Sequence, residues 1–188
     1  MRGRGEKGLA GGDGEDNLLK YIIKTGWRIV VSRIIPIFVN HRKAFFINLN
    51  NRVMIYKIVD IEGIGPVYAE KLIAAGINTD KELLEKCCKP AGRKELAEAT
   101  GISPKLILTW TNHCDLMRIK GVGPQFSELL EAAGVDTVKE FRNRKPENLQ
   151  PKLEEVNAEK NLVRRVPSLK EVVKMVDQAK ELPPMMEY

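Results

Sequence analysis

The chain is poor in aromatic residues, at 6% of 188, and poor in reactive groups, with three cysteines and two histidines. Cys87, Cys88 and Cys114 are odd in number and form no C-x-x-C pair, so reduced thiols with structural roles are expected. A zinc site needs a fourth ligand at a workable spacing, which His113-Cys114-Asp115 and the vicinal cysteines do not supply. Paired carboxylates at a catalytic spacing, a Ser-His-Asp set and a Walker-type loop are all missing. The expectation is a non-enzymatic protein that needs no metal and no cofactor. No uncharged run approaches the roughly 20 apolar residues that span a bilayer. Without a signal peptide, the expected location is cytoplasmic.

What is plentiful is Leu, Ala, Glu and Lys, a composition that suits helices. The net charge is +6 and the pI is near 9.2, which invites a nucleic-acid reading. The excess sits at one end. Residues 1–53 carry ten Lys or Arg against four acids, so residues 54–188 carry 21 of each sign and are neutral. A neutral domain binds a polyanion well only if it gathers its cations on one face.

The most informative pattern is an internal repeat. Ile61-Glu62-Gly63-Ile64-Gly65-Pro66 returns 58 residues later as Ile119-Lys120-Gly121-Val122-Gly123-Pro124. Ala69 and Leu72 then match Ser127 and Leu130 without a gap. Ala74-Ala75-Gly76-Ile77-Asn78-Thr79 matches Ala132-Ala133-Gly134-Val135-Asp136-Thr137, and Lys81-Glu82-Leu83 matches Lys139-Glu140-Phe141. A register held this long is one structural unit used twice. Each copy is a tight Gly-x-Gly turn followed by Pro at a first helical position. Amides of such a turn, at a helix N-terminus, favour an anion. Arg118 and Lys120 flank the second turn, whereas Asp60 and Glu62 flank the first, so the second is the better phosphate site.

The doubled apolar-Gly-apolar-Gly turn resembles the helix-hairpin-helix motif. Over residues 54 to about 182 the chain is similar to the tandem family called domain of unknown function 4332, including Gly92-Arg93-Lys94-Glu95-Leu96-Ala97-Glu98 and Gly101-Ile102-Ser103. The resemblance implies an all-α fold of two helix-hairpin-helix repeats, about 54–115 and 116–182, in a pseudo-twofold arrangement. It also implies a grip on the sugar-phosphate backbone of DNA, or of structured RNA, largely without reading sequence. On that reading Arg118, Lys120, Gly121, Val122 and Gly123 contact the backbone, with Gly63, Ile64, Gly65 and Lys71 as the weaker first set. Hairpin carbonyls in this motif family can hold a monovalent cation. Some DNA glycosylases carry a catalytic Lys just past the second glycine, but Pro124, Gln125 and Phe126 stand there in this chain. The alternative is a protein-interaction adaptor that keeps the fold without nucleic-acid binding. Neutrality and Glu62 favour it. Oligomeric state is open.

Within the repeat domain, helices are expected at Pro66–Ala75, Lys81–Lys86, Arg93–Thr100 and Pro104–Asp115. The second half should give Pro124–Ala133, Val138–Arg144, Pro146–Asn157 and Leu169–Leu182. Thr79, Ser103, Thr137 and Ser168 are the expected caps, and Pro90-Ala91-Gly92 an expected break. Trp110 is expected in the core and His113 at the surface or its boundary. Two basic clusters, Arg142, Arg144 with Lys145 and Arg164 with Arg165, either extend a phosphate track or are solvated. Residues 183–188 should fray.

Residues 1–53 are expected to be an extension, disordered at 1–16 and loosely packed beyond. Leu18 to Val39 is apolar but broken by Lys20, Lys24, Arg28, Arg33 and Pro36, which leaves a membrane-surface helix or a transit peptide open. Because the tandem family begins just before the first hairpin, Met54 is an alternative start, with a private extension as the other reading.

Overall fold

Residues 55–188 are described by a computed structural model. The expectations for residues 1–54 concern residues outside that range. The described part is all-helical, with no strand beyond an isolated bridge between Lys57 and Thr79.

A short 3-10 helix, Ile58–Asp60, precedes eight α-helices: α1 Pro66–Ala74, α2 Asp80–Cys87, α3 Pro90–Thr100, α4 Pro104–Leu116, α5 Pro124–Ala132, α6 Val138–Phe141, α7 Pro146–Lys160 and α8 Leu169–Glu181. Each start has a local cause. Five helices, α1, α3, α4, α5 and α7, open on proline. There the missing N–H is one the helix does not use, and φ is already set. The other three open on a hydroxyl cap. Thr79 and Thr137 accept from the amides of Glu82 and Glu140, and Ser168 forms a capping box with Glu171.

Three expectations need correction. Pro90 begins α3 rather than breaking the chain, so the break falls at Cys88 and Lys89, and Gly92 lies inside the helix. Gly92 is there because α2 comes so close that an added Cβ would overlap the Lys86 carbonyl oxygen. Second, Ser103 precedes α4 without a side-chain cap bond. Third, the tail does not fray. The Glu187 amide donates to the Cys88 carbonyl at 2.9 Å, and Arg93 Nη2 donates to the Glu187 carbonyl at 2.8 Å. Met185 and Met186 pack against the core beneath it.

Helix α4 is the centre of the fold. It packs on α2, α3 and α5, and every residue from Trp110 to Met117 is buried. Trp110 is in the core as expected, with the Tyr68 ring 5.2 Å away. Leu72, Leu83, Leu96 and Leu116 are wholly enclosed, and each contributes about 2 kcal/mol by burial.

The duplication is visible in the backbone. The Ile64 and Val122 amides donate to Ile61 and Ile119 at 3.0 Å each, and Ile77 and Val135 donate to Leu72 and Leu130 at 2.9 Å each. Gly63 and Gly121 turn with φ of +82° and +96°. That left-handed conformation strongly favours glycine. Packing recurs as well: α4 closes over α2 and α3, and α8 closes over α6 and α7. Among the described residues, no helix is long and apolar enough to cross a membrane.

Candidate functional site

The two Gly-x-Gly turns differ in what surrounds them. In the second turn, Ile119 and Val122 are buried and hold the loop to the core, while Lys120 and Gly121 are exposed. The Lys120 amide donates to Gln178 Oε1 of α8 at 3.1 Å, and Met175 of the same helix reaches Gly121. Helix α8 thus fixes the turn while its Lys120 side chain stays in solvent. Val122 uses its amide on Ile119, so it offers no donor to a ligand. The Gly121 and Gly123 amides have no acceptor among the described residues.

Lys174 adds a cation that sequence order hides. It is exposed, has no ion pair among the described residues, and lies one turn before Gln178 on α8. Its separation of more than fifty residues from Lys120 left no local signal.

Arg118 sits elsewhere. Its Nη1 donates to Asp115 Oδ1 at 2.6 Å and its Nη2 donates to the Pro183 carbonyl at 2.9 Å. The guanidinium is therefore engaged by the protein itself. The spacing of three between Asp115 and Arg118 at a helix end is the signal that marks such a pair.

At the first turn, the Ile64 amide is likewise used on Ile61, and Gly63 and Gly65 have no acceptor among the described residues. Gly63 lies against the Trp110 indole. Lys71 is exposed, on α1. Asp60 and Glu62 line a groove of about 350 Å³ together with Gly123, Pro124, Gln125 and Phe126 of the second turn and α5. The structure thus brings the first hairpin's acids beside the start of α5. Negative side chains there favour the helix dipole but repel an external anion. The Gly123 side of the turn thus faces two acids, while Lys120 is exposed at the Gly121 side.

His113 is not at the surface. It is buried on α4, where Nε2 stands 2.8 Å from Glu131 Oε2 and Nδ1 has no partner among the described residues. The hydrogen bond from His113 holds the Glu131 carboxyl below its ordinary range. Burial raises the Cys87 thiol to about 11 and pushes Cys114 well up. All three cysteines are free. Among the described residues no His, Cys, Asp or Glu cluster has a metal-holding arrangement.

The family model described as Domain of unknown function (DUF4332) matches residues 62–182, more than half of the chain. The chain belongs to that family. No curated protein and no solved structure matches it. The family description assigns no activity.

Proposed function

We propose that this DUF4332 protein is a non-enzymatic module that binds the sugar-phosphate backbone of DNA, or of structured RNA, largely independent of sequence. Its two turns act as helix-hairpin-helix motifs related by a pseudo-twofold axis. The observation that supports this most is the pairing of an unbonded Gly121 amide with the exposed Lys120 side chain, on a turn that α8 holds rigid. A phosphate oxygen at that amide meets a donor and a cation together. Lys174 extends the positive side. Arg118 supports the turn from beneath, through Asp115. The first hairpin, with Asp60 and Glu62, contributes less to phosphate affinity through Gly63, Gly65 and Lys71.

Fluorescence anisotropy of the full chain with duplexes of unrelated sequence tests the reading. Affinity should fall steeply with salt. Lys120→Glu should weaken every duplex alike and lower the salt slope by about 1. Unchanged affinity in that variant removes the second hairpin from the mechanism.

One observation favours the adaptor reading for the other copy. Ile55, Val59, Val67 and Ile73 are all strongly exposed, and all belong to the first repeat. Exposed apolar side chains on the same repeat as Asp60 and Glu62 suit a protein partner with basic and apolar groups. Pull-down of a partner that is lost on Val67→Asp, with duplex affinity retained, supports a division of labour between the copies.

A further inference from the structure

The groove at the start of α7 carries three cations, Arg144, Lys145 and Lys152, more than the groove of Asp60 and Glu62 or that of Glu140. It encloses about 300 Å³ between the end of α5 and the first turns of α7. Asn143, Arg144, Lys145, Asn148 and Lys152 line it over an apolar floor from Leu149. None of its described lining residues is acidic, in contrast to the groove holding Asp60 and Glu62, although Asn143 and Arg144 also line the adjoining groove that holds Glu140.

The cations are also placed. Arg144 Nη2 donates to the Gly134 carbonyl, which holds the exposed guanidinium at a rim shared with the neighbouring groove of Glu140. The Asn143 side-chain amide is held by the Lys139 carbonyl at 2.8 Å. Lys152 shares its charge with Glu155 at 2.9 Å, whereas Lys145 has no carboxylate partner among the described residues. Helix α7 opens at this groove over fifteen residues with no side-chain cap, so its dipole adds to the positive potential.

We propose that this groove binds a phosphate group and is the second anchor of a polyanion whose first anchor is the Lys120–Gly121 turn. The polyanion part rests on the proposed nucleic-acid function; the phosphate site does not. A planar guanidinium, two carboxamides and an ammonium can supply a phosphate with donors from several sides. The chemistry is shared by a free phosphate and by a backbone phosphodiester, so the two sources are tested separately.

The test is an amide NMR titration of the full chain with inorganic pyrophosphate, beside duplex anisotropy, for wild type, Lys145→Glu, Asn148→Asp and Lys120→Glu. Pyrophosphate should move the side-chain amide signals of Asn143 and Asn148 in wild type and in Lys120→Glu. The shift should be lost in Lys145→Glu and reduced in Asn148→Asp, a near-isosteric change that spares the fold. Duplex affinity should drop several-fold in Lys145→Glu, with the salt slope lower by about 1. Absence of the wild-type pyrophosphate shift overturns the site, whatever Lys120→Glu does. If the shift is present but duplex affinity is unchanged in Lys145→Glu, the role as a polyanion anchor is overturned. If Lys145→Glu weakens the duplex and Lys120→Glu does not, the groove stands and the hairpin reading fails.

Discussion

Asp115 joins two parts of the chain through one carboxylate. Its Oδ1 accepts from Arg118 Nη1 at 2.6 Å, and its Oδ2 accepts from the Val138 amide at 2.9 Å. The side chain is 1% exposed and that of Arg118 is 15% exposed. The end of α4, the second turn and the start of α6 are thereby fixed to one another.

Removing either member of that pair leaves a buried charge uncompensated. Asp115→Ala should cost about 3 kcal/mol in chemical denaturation. Arg118→Gln should also lower stability, and should change duplex affinity less than Lys120→Glu does at equal folded fraction. A larger loss of affinity in Arg118→Gln would show that the guanidinium reaches the ligand directly.

Gly92→Ala tests the close approach of α2 and α3. The new methyl group would overlap the Lys86 carbonyl oxygen, and both partners are rigid helix backbone. Overpacking of this kind costs about 2 to 3 kcal/mol. A thermal midpoint equal to wild type would mean that the helices can part freely.

The thiols should divide by burial. Cys87, at about 11, and Cys114, raised well above the ordinary thiol range by burial, hold little thiolate at pH 8. Cys88 is half-buried and should react first with a disulfide reagent. One thiol should titrate quickly in the native protein and three after denaturation. Three fast native thiols would contradict the packing around α2 and α4.

Glu131 should shape the acid limb of stability. Its folded-state value is lowered beneath the ordinary 4.5 because His113 donates to it. That stabilisation is present above pH 4.5 and is lost as pH falls through the lower folded value. Glu131→Gln should therefore flatten the loss of stability below pH 4.5, followed by denaturant titration at several pH values. Parallel curves for the two proteins would remove the pair from the account.

How much was legible depended on how local each cause was. The caps at Thr79, Thr137 and Ser168 act over three residues, and the glycine turns over two, so the pattern displays them directly. Gly92 is not legible locally, because a glycine near a proline signals a break, while the reason for it is a neighbouring helix. His113 looked like a boundary residue because its partner, Glu131, lies 18 positions on. The tail looked free because its anchors, Cys88 and Arg93, are nearly a hundred residues earlier.

By itself, the order of residues determined the all-helical class, the doubled turn and the family to which the chain belongs. Those follow from periodicity, prolines and glycines acting within one or two helical turns. Tertiary structure alone decided which donors stay open. It set Asp60 and Glu62 beside α5, engaged Arg118 with Asp115, brought α8 under Lys120 and gathered the cations at α7. Charge acts through space, and a linear sequence does not state which charges become neighbours.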